Sequence, residues 1–394
     1  MLGQKKDYPW RYAWFYMAYY TANAVHQGYI SKYFKDGGIE GAWLTALMAA
    51  VPLVAMFTQP FWGLRGDKAN SRNRVLRGLI LSAVIAIALF PLSGRWGYLL
   101  AATCLFAGCF TSIQPMGDSI VLEDLSRRGA AFGPLRLTGC LAFAVMNVLF
   151  GIILDGGRIR LAPYLTAGLL ILTFLATWPL PQTAGHQAQT GRKMNITGLF
   201  QDRELPGLLI LLMIIQMTMG YFYSFFPVYY TELPGGTTTL LGVCYFISAT
   251  SEIPFLLNSK KLFDKLGAGK LMLIACGALL IRWVVLFLAP NAYVALISQV
   301  LHGWGFIVIT VSMSLYMTAT VPDELQASGQ MILAIVGFGV ARVFGILGGG
   351  LISQALGGHR AGFGLMAASL VVAFAVFAPR YIKKPPLNGQ KQPR

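Results

Sequence analysis

Asp118 and Arg136 each lie nine positions from Arg127, on either side of a short polar turn, Asp118 late in one long apolar run and Arg136 opening the next. If both runs are helices rising 1.5 Å per residue from that turn, the acid and the base reach one depth and form an ion pair easily. Ionisable groups in hydrocarbon are costly, so such a pair points to gripping a solute or relaying a proton. A structural lock between two helices is the plainer reading, but buried pairs often add little net stability, which favours a functional role. Phe143 lies seven residues beyond Arg136 and returns to the same helix face.

The same arithmetic applies further along. Glu252 and Arg282 lie fifteen positions either side of Gly267 and are expected at one depth. A carboxyl in a low-dielectric interior can exchange a proton near neutral pH, which makes Glu252 the leading proton carrier. His302 follows in a third apolar run, with Gln299 one turn before it; a lone His on such a face is usually packing, and its place in a pore-lining run favours function. Arg342 stands mid-run among Gly337, Gly339, Gly345 and Gly348, too central to snorkel easily, so it either pairs or offers an anion site. Inside the apolar runs, Arg136, Arg282 and Arg342 face Asp118 and Glu252, a formal excess of one positive charge that keeps an organic anion open as a substrate. His26 and Tyr223, the latter in a run with Tyr221, Phe225 and Phe226, are further lining candidates, although aromatic runs are more often packing.

These side chains need long apolar elements to hold them, and the composition supplies little else. The chain is 56% hydrophobic and 12% charged, with a mean hydropathy of +0.61, outside the range of soluble domains. Twelve apolar segments are expected at about 10–34, 41–64, 75–94, 97–122, 132–154, 161–180, 205–230, 238–259, 270–289, 292–318, 327–354 and 361–380. Each is near or above the roughly 20 residues that span a bilayer as helix. The first is too long and aromatic for a signal-peptide core and reads as a membrane helix.

With the N-terminus inside, 22 of the 31 Lys and Arg fall in inside segments and 6 outside, an asymmetry that predicts both termini cytoplasmic in a multi-pass protein of the cytoplasmic membrane. The net charge of +16 is then a matter of topology and anionic lipid, and no nucleic-acid partner is implied. All five cysteines lie in apolar spans, giving neither a disulfide framework nor metal spacing. The sequon at Asn195 falls in an inside loop, where glycosylation is not expected. No nucleophile elbow, phosphate loop or ligand cluster appears, so no catalytic residue, metal or cofactor is expected and the chain is not read as an enzyme.

The chain also repeats. Asp67-Lys68, in the loop from Gly63 to Arg74, and Asp264-Lys265, in the loop to Lys270, are 197 positions apart, half of the 394 residues. Two six-helix bundles are implied, 1–185 and 205–394 with a short basic tail, joined by a polar cytoplasmic linker at 186–204.

The pattern Gly63-x-x-x-Asp67-Lys68-x-x-x-Arg72 on the loop between the second and third spans resembles the signature loop of the major facilitator superfamily, and the six-plus-six layout extends that resemblance over nearly the whole chain. The resemblance implies that Gly63, Asp67, Lys68 and Arg72, with Asp264 and Lys265 in the second half, form a conformational latch. Asn70 replaces the usual Gly, and Asn tolerates a left-handed turn there. Asp118, Ser126-Arg127-Arg128, Phe132-Gly133-Pro134-Leu135-Arg136 and Gly139-Cys140 look like the lactose permease group of oligosaccharide/proton symporters. That likeness implies sugar-binding roles for Asp118 and Arg136, with Phe143 where the group carries Trp.

Glu252, Arg282 and His302 match the same group's coupling residues, while Gln299 and Gly305 stand at its helix-10 Lys and proton-carrying Glu. The run Gln299-Val300-Leu301-His302 with Phe306, then Ser328-Gly329-Gln330, is similar to the phenylpropionate and nucleoside permease relatives. The expectation is a monomeric, proton-coupled transporter of a small polar organic solute, sugar-like or nucleoside-like, with solute, protons and membrane lipid as partners. Transport of an aromatic or other organic anion, or export, is the alternative.

Overall fold

The computed structural model describes residues 8–185, 203–321 and 326–386. The expected linker, apart from residues 203 and 204, lies outside the described residues, as do Asn195 and the basic tail beyond residue 386. Among the described residues the chain is helical, with no strand.

The helices are α1 (Ala13–Asp36), α2 (Gly41–Lys68), α3 (Arg72–Ala88), α4 (Trp96–Arg128), α5 (Gly133–Ile153), α6 (Ala162–Leu175) and α7 (Leu205–Glu232). The eighth, α8, comprises Thr238–Thr250 and, after a break at Ser251-Glu252, residues 253–266; α9 is 268–288. Then come α10 (Ala292–Thr320), α11 (326–355) and α12 (His359–Ile382).

Ten described helices are long and apolar enough to cross a membrane. One of them, Thr238–Leu288, has 51 residues, about 75 Å as helix and more than two hydrocarbon thicknesses. It divides at Gly267, whose φ of 71° and ψ of 168° end α8 and start α9. A side chain would be strained there, which is why the pivot between Glu252 and Arg282 is a glycine. Helix α1, 24 residues long, is diluted by Tyr, Asn, His and Lys but has the length to span, and with it the twelve expected passes are accounted for.

Two compact units divide the chain: Met1–Ile39 with Leu53–Gly191, and Glu40–Pro52 with Arg192–Arg394. The first turns of α2 thus group with the C-terminal unit, where Gln354 of α11 donates to Thr45 Oγ1 at 3.3 Å. In the N-terminal unit α1 packs along α5 and α6, and α3 along α4 and α6. Pro115 sits inside α4 and cannot donate to the carbonyl of Thr111. Gln59 of α2 takes over that carbonyl at 3.1 Å, so the helix stays continuous one turn before Asp118.

In the C-terminal unit, α7 packs along α11 and α12, and the Ile253–Leu288 segment along α10 and α12. The α7–α11 approach depends on small residues: a Cβ on Gly345 would lie 2.0 Å from the Met217 carbonyl oxygen, and one on Gly220 would lie 2.9 Å from Arg342 Cα. Gly345→Ala is accordingly expected to force α11 away from α7 at a cost of about 1–3 kcal/mol, seen as a lower melting temperature of the detergent-purified protein. An unchanged melting temperature would show the contact to be looser than the geometry says. Helix α11 also holds a π-helical turn, Ala334–Val340, directly before Arg342.

Candidate functional site

The N-terminal unit gathers its charged pair between α1, α4 and α5. Tyr12, Tyr16 and Tyr20 recur every four residues on α1 and so share a face. Tyr16 Oη donates to Asp118 Oδ1 at 3.0 Å, and Tyr12 Oη donates to Asp124 Oδ2 at 2.8 Å. Asp118 Oδ2 lies 3.6 Å from Arg136 Nη1, so the two residues that flank Arg127 do meet. The guanidinium also lies over the Tyr20 ring, 5.1 Å from its centroid, and its Nη2 donates to the amide oxygen of Gln114 at 3.1 Å when that amide is turned to satisfy both neighbours. Arg136 is 39% exposed and Asp118 21%, so neither is sealed in the core and both present hydrogen-bonding edges to whatever enters beside them.

Phe143 is half-buried two turns beyond Arg136 on α5. His26 takes a different place: it is 7% exposed and packed against the rings of Phe106 and Phe110, at 4.5 and 5.3 Å, within an aromatic stack. Spacing along α1 does mark the difference: His26 lies seven residues beyond Tyr19, whose ring also stacks on Phe110, and so shares the Tyr19 face and not the Tyr16–Tyr20 face that holds the ion pair.

At the end of α2, Arg72 bridges Asp67 Oδ1 at 2.8 Å and Glu123 Oε2 of α4 at 3.0 Å. The segment after α6 closes on the same loop: Arg72 N–H donates to the Thr183 carbonyl, and Asn73 both donates to Pro181 and accepts from Thr183 N–H. Gly63 and Lys68 are exposed, as are Asp264 and Lys265 at the end of α8. No described non-glycine residue has a positive φ, so Asn70 makes its bend without the left-handed conformation expected of it; Ser71 caps α3 through Arg74 N–H instead.

In the C-terminal unit the expected Glu252–Arg282 pair is mediated by histidine. Arg282 is 0% exposed. Its Nη1 meets His302 Nδ1 at 2.7 Å and its Nη2 donates to Gln299 Oε1, while Phe222 and Trp283 rings lie at 4.1 and 5.1 Å. An arginine only donates, so His302 Nδ1 must be the acceptor and the ring is neutral with its proton on Nε2. That Nε2 faces Tyr223 Oη at 3.1 Å and Glu252 Oε1 at 3.6 Å. The chain of contacts therefore runs Glu252, His302, Arg282.

Gln299 is fully buried and spends its amide on Arg282, Ser248, Ala295 and Ser298, so it positions the arginine and offers nothing to a solute. Glu252 lies at the break in α8. Gly303 sits against that break: its N–H takes Ser251 Oγ at 2.8 Å, and a Cβ there would come within 2.1 Å of the Ser251 carbonyl oxygen. Gly305 faces Leu279, where a Cβ would lie 2.4 Å from a methyl, so the carboxylate of the resembling group has no ready space.

Tyr223 carries a second load, since the guanidinium of Arg342 lies over its ring at 5.2 Å and over the Phe338 ring at 4.9 Å. The residues missed by sequence reasoning are Tyr16, Tyr20, Gln114 and Phe338. The first three carried a signal, a four-residue tyrosine spacing on α1 and a Gln one turn before Asp118, whereas Phe338 was one aromatic among many.

Residues 9–362 match the MFS_1 like family. The chain is 26% identical to maltose permease of Geobacillus stearothermophilus over 325 residues, covering 81% of each chain. It is 27% identical over 337 residues to the uncharacterized transporter YwbF of Bacillus subtilis, covering 81% of this chain and 79% of the relative. Among solved structures, the nucleoside transporter NupG superposes with a TM-score of 0.81 at 16% identity, covering 96% of this chain and 99% of that one. A bacterial homolog of the lysosomal transporter Spinster does so with a TM-score of 0.75 at 13% identity, covering 96% and 99%.

Proposed function

This chain belongs to the MFS_1 like family, within the major facilitator superfamily, and is a multi-pass secondary transporter; from that premise we propose that it moves a small polar organic solute, sugar-like or nucleoside-like, by proton-coupled symport. The observation that carries the reading is the placing of two charged clusters, Asp118–Arg136 and Glu252–His302–Arg282, inside apolar helices where charge is costly to keep. The names of its relatives, a maltose permease and a nucleoside transporter, support the substrate class.

In this reading Asp118 and Arg136 hold solute hydroxyls through charge-assisted hydrogen bonds, with Phe143 supplying an apolar face. Glu252 carries the proton and His302 senses it, because any change of charge on Glu252 alters what His302 Nε2 faces. Asp67, Arg72 and Glu123 form the latch on the cytoplasmic loop, and alternating access rocks bundles 1–185 and 205–394 joined by a linker at 186–204. The Lys and Arg asymmetry supports both termini lying on the inner side of the cytoplasmic membrane, and the working unit in this reading is the monomer.

Uptake of labelled maltose and uridine into reconstituted vesicles, with and without an inward acid gradient, tests the reading. Accumulation driven by the gradient supports it, and uptake indifferent to the gradient removes the proton.

A further inference from the structure

We propose that Arg342 is the anchor of a carboxylate-binding site in the C-terminal unit, and that the solutes accepted by this transporter therefore include a monocarboxylic acid. The proposal rests on the transporter reading above and adds the charge and functional group of a solute.

The argument starts from how the other guanidiniums are satisfied. Arg136 has Asp118, Arg72 has Asp67 and Glu123, and Arg282 has His302 and Gln299. Arg342 has no hydrogen-bond acceptor and no carboxylate among the described residues, and its buried Nε is without a partner. It has two aromatic rings, Tyr223 and Phe338. Ring faces offset the charge of a guanidinium but take up none of its five N–H donors. The Tyr223 hydroxyl is already engaged with His302 Nε2, so the nearest phenol oxygen is not spare. The backbone of Arg342 packs closely against Gly220, which fixes where its side chain starts.

A second observation points the same way. Gln216, two turns before Tyr223 on α7, is 0% exposed with neither its Nε2 nor its Oε1 bonded, and Gly337 of the π-helical turn packs against its side chain. One stretch of the α7–α11 contact thus holds an unmet guanidinium and an unmet amide, polar groups that normally find partners when buried.

Charge selects the ligand. Around Tyr223 stand Arg342 and Arg282 against Glu252, with His302 neutral, an excess of one positive charge. A monoanion closes that balance, whereas a phosphate monoester at −2 would overshoot it and be dearer to desolvate. Carboxylate also matches the planar fork, which binds it through two parallel N–H···O bonds. The rings of Tyr223, Phe338 and Phe306 leave room in the chemistry for either a hydroxylated or an aromatic body, and the carboxylate would sit one ring away from the His302–Glu252 contact.

The test compares acids with neutral isosteres of the same shape: glucuronate against glucuronamide, and benzoate against benzamide, by thermal shift and isothermal titration on purified wild type, Arg342→Gln and Arg342→Lys. At least one acid is expected to bind wild type more than about tenfold better than its amide, as charge-assisted bidentate bonds require. Arg342→Gln is expected to lose on the order of 100-fold for that acid. Arg342→Lys should lose about tenfold, since it keeps the charge without the fork. Both variants should remain monodisperse, and the lysine variant keeps the test decisive if the glutamine one misfolds. The proposal is overturned if amides bind as well as acids, if acid affinity is unchanged in Arg342→Gln, or if no acid binds. Gradient-driven uptake of maltose or uridine alongside any of those outcomes would leave the proposed substrate class standing, and its absence would remove the sugar-like and nucleoside-like assignment as well.

Discussion

Replacing Arg136 by Ala is expected to abolish solute binding in the N-terminal unit, with an affinity loss on the order of 100-fold or more and no measurable uptake. The guanidinium holds three groups from two helices: Asp118 of α4, Gln114 of α4 one turn earlier, and the ring of Tyr20 on α1. Removing it leaves the Asp118 carboxylate with donors from Tyr16 at 3.0 Å and Gln114 at 3.4 Å but without the charge that balances it. Part of the loss is therefore the stranded carboxylate, and part is the missing donors to solute. The double variant Arg136→Ala/Asp118→Asn separates these: stability should recover because no charge is stranded, while binding should not. Titration of the transported solute against purified protein, with melting temperature as a control, reads both. Wild-type affinity in the single variant would remove Arg136 from the site.

Glu252→Gln should do the opposite, leaving solute affinity within about threefold while uptake stops responding to an acid gradient, since a carboxamide has the shape of the protonated acid and cannot release a proton. The geometry gives the reason. His302 Nδ1 is held by Arg282, so the imidazole keeps its proton on Nε2, and that N–H has Tyr223 and Glu252 before it. With Gln, Nε2 still has an oxygen to face, so the local packing survives, but the site has lost the group whose charge changes. Counterflow exchange at equal pH should persist and net gradient-driven accumulation should not. Accumulation that still tracks the gradient would place the proton on another group, and Asp118 would be the next to replace.

The ion pairs were more legible in the sequence than their surroundings. Asp118 and Arg136 do meet, but not through equal spacing about Arg127: α4 runs on to Arg128 and α5 begins only at Gly133, so Asp118 lies ten residues from its helix end and Arg136 three from its own, and the long arginine side chain closes the gap. Equal spacing about Gly267 brought Glu252 and Arg282 to a common neighbourhood but could not show that His302 stands between them, since α10 arrives from a different part of the chain. Gln299 and His26 looked like lining residues because both are polar groups in apolar runs. Depth along a helix and which residues share a face can be counted from sequence, whereas what each face meets depends on partners, and one proved to be a brace for Arg282 and the other part of an aromatic stack. The turn at Asn70 was misread for a related reason: tolerance of a left-handed conformation is a property of the residue, while its use depends on the whole loop, and here Ser71 and Arg72 shape it without that conformation.

The π-helical turn at Ala334–Val340 has an implication for how Arg342 came to face Tyr223. Such a turn holds one residue more than the α-helical path it replaces, and each residue turns a helix by about 100°. Gain or loss of a single codon in that stretch would swing everything downstream around the axis while the membrane length of the helix barely altered. Ligand preference in this chain could therefore be reset by one small insertion or deletion, with no substitution among the contacting side chains themselves.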